Sequence, residues 1–222
     1  MEKKFILTDK FVINSFGIKL FQIKCTKSFK YAQKGDFGGY VEKEGNLDQE
    51  NDAWVFGNAR VFGNARVSSN ARVSGDAWVS DNARVSGDAW VSDNAWVSSN
   101  AWVSGDALVS GYAWVSGDAR VSGNARVSGD ACVSGNAWVS GDADIENDNE
   151  HCGFDGFGSC NRHTHAYMTK EKKVEIICGC FRGSIEEFEK KVEETHSGTV
   201  YEKQYKSIIN VIKIKFGLTD FT

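Results

Sequence analysis

The side chains best equipped for chemistry crowd into the last third of the chain. Cys152, Cys160, His163, His165, Cys178 and Cys180 include enough thiols and imidazoles to furnish four zinc ligands. Their spacing argues the other way: none form a C-x-x-C pair, and Cys178 with Cys180, two apart on one expected strand, suit a buried apolar pair equally well. We therefore expect no metal. A second set has the parts of an anion site. The loop Gly156-Phe157-Gly158-Ser159 can present backbone N–H groups, and Arg162 and Thr164 follow with a guanidinium and a hydroxyl. Arg182 stands just before a helix expected to open at Ser184, whose free N–H groups favour negative charge. Gly158, Ser159, Arg162, Thr164, Arg182 and Ser184 are thus the candidate ligand-binding residues, brought together if a hairpin joins the two elements. Neither element matches a P-loop or dinucleotide fingerprint. The plainer alternative is that the glycines only make turns, Ser184 only caps its helix, and both arginines pair with nearby glutamates. No cofactor is expected and no catalytic residue is assigned.

Residues 148–222 would carry these groups on a small α+β module. A glycine-rich loop over 152–160 leads to two strands near 163–169 and 174–180, joined by Lys170-Glu171-Lys172-Lys173. Ser184 and Glu187 form a capping box, and Ile185, Phe188 and Val192 make one apolar stripe of a helix that Gly198 closes. A last helix runs from about Tyr201 through Tyr205, Ile208 and Ile212, although 212–216 alternates and also fits a strand.

The block before this module, residues 52–147, repeats with period six. Its sixteen hexads read Asn/Asp, Ala, variable, Val, Ser, Gly; Ala holds its place in all sixteen, and Val in every one but the last, where Ile145 stands. Ala-x-Val has period two, so Ala and Val share one side of a strand of about three residues and the variable residue faces away. The following Gly, Ser or Asp and Asn or Asp tolerate positive φ and make a corner. Strands this short survive only if each pairs with its equivalents in the coils above and below, which is a solenoid. The pattern resembles the hexapeptide repeat of left-handed parallel β-helices, with three hexads per triangular coil; the left hand is implied by that resemblance.

Residues eighteen apart then stack on one face. One column of variable residues is Arg60, Trp78, Trp96, Trp114, Cys132; a second is Arg66, Arg84, Trp102, Arg120, Trp138; the third is Trp54, Arg72, Trp90, Leu108, Arg126, Asp144. All seven tryptophans of the chain occupy the variable position and are expected on the outside. A ladder of Trp78, Trp96 and Trp114 is a sizeable apolar patch that a soluble monomer seldom leaves open. Three coverings fit: stacked indoles and guanidiniums, or the C-terminal helices, within the chain; self-association as a dimer or trimer, since Trp and Arg anchor interfaces; or a foreign partner. The block carries six Arg against eleven acids, which counts against nucleic acid as that partner.

Residues 1–51 hold nine Lys and no Arg, a vocabulary distinct from the repeats, and β-rich runs near 5–8, 11–13 and 18–25 followed by a turn over 34–39. This module should cap the first coil, and the six-residue spacing of Val41 and Leu47 marks an irregular lead-in coil. The expected domains are 1–51 (N-terminal β cap), 52–147 (β-helix) and 148–222 (C-terminal module), in a mainly β chain. Net charge is −4, and no apolar run is long enough to form a leader or a membrane span, so a soluble cytoplasmic protein with reduced thiols is expected.

GDFGGYVEKEGNL before the repeats, the NARVSG array, and GFGSCNRHTHAY with CGCFRGSIEEFEKKVEETH after them resemble a group of bacteriophage and prophage hexapeptide-repeat, or polymer-forming, proteins. The resemblance spans all three modules and implies a phage context. It leads to the expectation of a non-enzymatic, phage-encoded counter-defence protein that binds a host defence protein or nuclease, such as a CRISPR effector. The alternatives are sequestration of a nucleotide immune signal in the C-terminal module, an acyltransferase-like enzyme, and a structural or virion role. Acyltransferases of the left-handed β-helix class use a histidine near a coil edge and often an extruded loop. Residues 52–147 contain no histidine and no interrupted hexad, and that regularity favours a scaffold.

Overall fold

A computed structural model describes residues 2–219. Each hexad contributes a two-residue strand, made of the variable residue and Val, from β4 (Trp54–Val55) to β19 (Asp144–Ile145), sixteen in all. The strands are one residue shorter than the Ala-x-Val pattern predicts. In most coils the Ala N–H closes the preceding corner, as in Ala77 N–H to Ser74 O at 3.3 Å, so the ladder to the next coil starts one residue later. From there the variable residue and the Ser after Val each donate to a carbonyl seventeen residues ahead, as Trp96 does to Ala113 O and Ser98 to Val115 O, both at 2.9 Å. Three parallel sheets result, and they hold the three columns expected from the eighteen-residue spacing.

Ala of every hexad, with Val or, in the last, Ile145, is buried in one continuous core. At the corners the chain takes the left-handed conformation, mostly at glycine but also at Ser69, Asp81, Asp93 and Ser99, with φ from 58° to 60°. Asp81 and Asp93 offset that conformation by accepting the N–H of Ser99 and Gly111, one coil on, at 3.0 and 3.1 Å.

The N-terminal module is continuous with the solenoid. β1 (Phe5–Ile13) and β2 (Lys19–Cys25) form an antiparallel hairpin, and β3 (Phe37–Val41) pairs antiparallel with β2 on one side and parallel with the strand at Arg60–Val61 on the other. Leu47 bridges Val67, giving the lead-in coil that the Val41 and Leu47 spacing marks. Two expectations are corrected here. Phe37, Gly38 and Gly39 are strand, not turn, because their backbone lies directly on the first coil; a Cβ on Gly39 would come within 2.7 Å of Ala59 O and of Val55 Cγ1. Trp54 keeps its place on the outward column, in register with Arg72, yet is only 1% exposed, because Phe5 and Phe29 cover it edge-on at 6.3 and 5.3 Å. The lead-in coil supplies no strand beside Trp54–Val55, which ends its sheet, so the cap covers that outward side chain. Gly39→Ala is expected to cost about 1–3 kcal/mol by overpacking this junction, whereas Gly45→Ala, with open space around its Cβ, serves as the neutral control; urea denaturation of both variants checks the difference.

The C-terminal module is a four-stranded antiparallel sheet, β20 (His151–Phe157), β21 (Arg162–Met168), β22 (Val174–Cys178) and β23 (Phe181–Ser184), followed by α1 (Ile185–His196) and α2 (Val200–Lys215). The residues expected as a glycine-rich loop are mostly strand: Gly153 pairs with His165, and its missing Cβ makes room for the His163 ring. Cys178 ends β22 and Cys180 lies in the turn beyond it, so the two are not on one strand. The alternating segment 212–216 is helical through Lys215, with Ile212 buried against the sheet. Ser184 and Glu187 form the expected capping box.

Alternation along β21 and β22 divides the sheet. Thr164, Ala166, Ile176 and Cys178 face the helices, while His165, Tyr167 and Ile177 face the end of the solenoid. That end would expose unpaired carbonyls. Trp138 O lies 3.1 Å from His165 Nδ1, Ser140 O lies 3.2 Å from the Tyr167 hydroxyl, and Asp142 O accepts Lys170 N–H at 3.0 Å. Among the described residues, no helix is long and apolar enough to cross a membrane.

Candidate functional site

Two regions gather the singled-out residues. The first is the solenoid face built on Trp78, Trp96 and Trp114, which stand in register on neighbouring strands. Trp96 and Trp114 stack at 5.4 Å and 12°, Trp78 meets Trp96 edge-on at 5.8 Å, and the Arg60 guanidinium lies 5.2 Å from the Trp78 ring. The Ser position of the hexad one coil below receives the indole N–H: Trp96 donates to Ser80 Oγ and Trp114 to Ser98 Oγ, both at 3.1 Å. Trp90 and Trp102 use Ser74 and Ser86 in the same way. At Trp78 the equivalent place is taken by Phe62, packed edge-on at 5.8 Å.

The covering of this ladder is local. Phe16, at the tip of the β1–β2 hairpin, reaches over Trp78 and Trp96 at 6.0 and 6.4 Å. The Asn14 carboxamide oxygen sets that tip by accepting the N–H of Phe16 and Ile18 at 3.0 and 2.9 Å. The C-terminal helices pack on their own sheet and not on the ladder, since their apolar stripes are needed to close that second core. Trp114 remains 44% exposed, and Trp90, Trp102 and Trp138 are nearly as open on the other faces.

The second region is the C-terminal sheet, and it does not bring the six candidate ligand residues into one cleft. Ser159 and Arg162 line a cavity between the open end of the sheet and the helices. Thr164 is fully buried and donates to Cys178 Sγ at 3.3 Å. The Gly158 N–H is taken by Gln204 Oε1 at 2.9 Å. Arg182 lies against the solenoid end beside Gly141, with Nε 2.6 Å from Glu175 Oε1 and Nη2 3.3 Å from Oε2. Ser184 is engaged in its capping box, accepting Glu187 N–H at 3.2 Å. Arg162 and Arg182 therefore act on opposite faces of one sheet, because residues of opposite parity on β21 and β23 point opposite ways.

Between sheet and solenoid lies a row of imidazoles. His165 is buried with Nδ1 3.1 Å from Trp138 O, so it donates there and leaves Nε2 to accept from His151 Nδ1 at 3.1 Å. Burial pushes the His165 pKa down to about 3 and lowers that of His151 as well. His163 Nδ1 is 2.8 Å from Asp155 Oδ1, and this bond holds Asp155 below the usual carboxylate range. The row is a hydrogen-bonded seal over the last coil. Among the described residues no group of three or more His, Cys, Asp or Glu is placed to hold a metal ion. Sequence reasoning missed His151 and the helix residues Lys191, His196 and Tyr205, which face the Arg162 cavity; the one available signal was that 191 and 196 lie beside the apolar stripe of α1.

A comparison with curated proteins finds no match to this chain. Residues 65–81, 77–93, 101–117 and 119–134 match the family model described as the YdcK Beta solenoid repeat. Those matches lie wholly within the coils, and with three parallel sheets built from the same hexads they make the chain a repeat β-solenoid protein.

Proposed function

We propose that this is a non-catalytic, phage-encoded binding protein of counter-defence, which self-associates through the Trp78–Trp96–Trp114 face and holds a host defence protein by direct contact. The observation that carries the reading is the indole ladder left open beyond Phe16, with Trp114 44% exposed. Trp and Arg are the residues most often found as interface anchors, and here they are held in fixed rotamers by stacking and by the indole–serine bonds, which lowers the entropy lost on docking. The phage context rests on the resemblance of the terminal motifs.

Light scattering at micromolar concentration is expected to give a particle larger than the 24.5 kDa chain. A Trp78→Ser/Trp96→Ser/Trp114→Ser variant is expected to return to the monomer with unchanged circular dichroism. Affinity capture from defence-expressing cells is expected to recover one host protein. A wild-type monomer would remove the self-association, and failure to capture any host protein would favour a structural role.

A further inference from the structure

The cavity beside Arg162 has a volume of about 260 Å³ and a composition unlike the surface around it. Its floor is apolar and largely aromatic: Phe188 meets Tyr205 edge-on at 5.6 Å and lies tilted against Phe181 at 5.0 Å, and Val192 closes the back. Its rim carries Arg162, Lys191 and His196, and among the described residues no Asp or Glu contributes to its wall, although residues 148–222 hold twelve acids against eleven Lys and Arg.

Two polar groups there are left with something to give. Arg162 packs over Gly179, where a Cβ would come within 2.6 Å of Nη1, and none of the described ion pairs includes it. Lys191 has only an exposed partner, Glu194 at 3.7 Å. The second group is the Tyr205 hydroxyl, on a residue 5% exposed. Thr164 donates to Cys178 Sγ at 3.3 Å, and Cys178 donates to Tyr205 Oη at 3.8 Å, so the tyrosine accepts from within the protein. Its own proton has no oxygen or nitrogen acceptor among the described residues, and burial, reinforced by Cys178, pushes its pKa up to about 12, so that proton is kept at neutral pH. A buried donor without an acceptor is costly unless something supplies one.

We infer that this cavity binds a small organic monoanion, a carboxylate carried on an aromatic ring, with the carboxylate between Arg162 and the Tyr205 hydroxyl and the ring among Phe181, Phe188 and Val192. The aromatic walls favour a planar guest that meets them edge-on or offset. A single free guanidinium matches one carboxylate, bidentate if the fork is engaged. The volume accommodates one or two rings and is too small for a dinucleotide-sized signal. This inference stands apart from the solenoid face and does not require self-association.

The test is titration calorimetry of the full chain with indole-3-acetate and with its neutral amide, indole-3-acetamide. Indole-3-acetate should bind, the amide at least tenfold more weakly. Arg162→Gln and Tyr205→Phe should each weaken indole-3-acetate tenfold or more without changing the circular dichroism, and Val192→Phe should abolish binding by filling the cavity. If Tyr205→Phe fails to fold, Arg162→Gln and the acid–amide pair decide alone. Equal affinity for acid and amide, undiminished binding by Arg162→Gln, or no heat at millimolar indole-3-acetate would each overturn the assignment.

Discussion

Replacing Val97 by Asp is expected to unfold the solenoid, while replacing its neighbour Trp96 by Ser leaves the fold standing. Val97 is fully buried between Val79 and Val115, one coil to either side, with only alanine and valine side chains along the axis to meet a carboxylate. A charge there has neither water nor a partner, which costs roughly 4 kcal/mol or more. Strand-by-strand pairing transmits the loss, since a coil that opens leaves two others with unpaired edges. Trp96→Ser removes the stack on Trp114 at 5.4 Å, the contacts with Trp78 and Phe16 and the bond to Ser80, a loss of about 1–2 kcal/mol on a half-buried surface. Thermal and urea unfolding followed by far-ultraviolet circular dichroism separates the two. Equal destabilisation would mean that the variable and Val positions are not on opposite sides of the wall.

Acidification is expected to release the C-terminal module before the solenoid melts. An imidazole in an unfolded chain titrates near about 6.5, whereas burial holds His165 down to about 3 in the folded protein. Between those values the unfolded state binds a proton that the folded state refuses. Stability from His165 is therefore complete above pH ~6.5 and falls by roughly 1.4 kcal/mol for each unit below it. His151, also lowered by burial, acts in the same direction; Asp148 faces it at 3.7 Å and opposes the shift, while Lys215 reinforces it. Hydrogen exchange at pH 7.5, 6 and 5 should show β20 and β21 losing protection while the strands around Val97 keep theirs. His165→Gln, which can still donate to Trp138 O, should flatten the dependence. A wild-type profile that is flat over this range would contradict the buried neutral imidazole.

The sequence carried the solenoid openly because its core is one-dimensional: Ala and Val repeat with period two inside period six, and the eighteen-residue columns follow by arithmetic. Its ends were less legible. Trp54 looks like every other variable residue, and only the distant Phe5 and Phe29 decide that it is buried. Gly38, Gly39 and Gly153 read locally as turn residues, yet each is a strand position where another segment comes too close for a Cβ, a long-range demand that local propensity does not register. The six candidate ligand residues are divided between two faces for a related reason. Arg162 and Arg182 are close in sequence, but the parity of the strands sends them to opposite faces. For Arg182 the plainer alternative holds, since Glu175 is the nearby glutamate that pairs with it. The capping box at Ser184 was legible because its two residues are three apart and need no distant contact.

The eighteen-residue repeat also gives the chain a phase. Indoles reach serines sixteen residues back, Asn64, Asn82, Asn100 and Asp118 form a ladder of side-chain bonds eighteen residues apart, and both end modules dock on particular faces. Adding or removing three hexads changes the length by one coil, roughly 4.8 Å, and returns every column to itself. A change of one hexad advances the phase by a third of a turn: indoles then meet the wrong serines, and the C-terminal module swings to a different face relative to the Phe16 hairpin. The molecule is thus a ruler that can be lengthened only in whole coils if the angle between its two ends is to be kept.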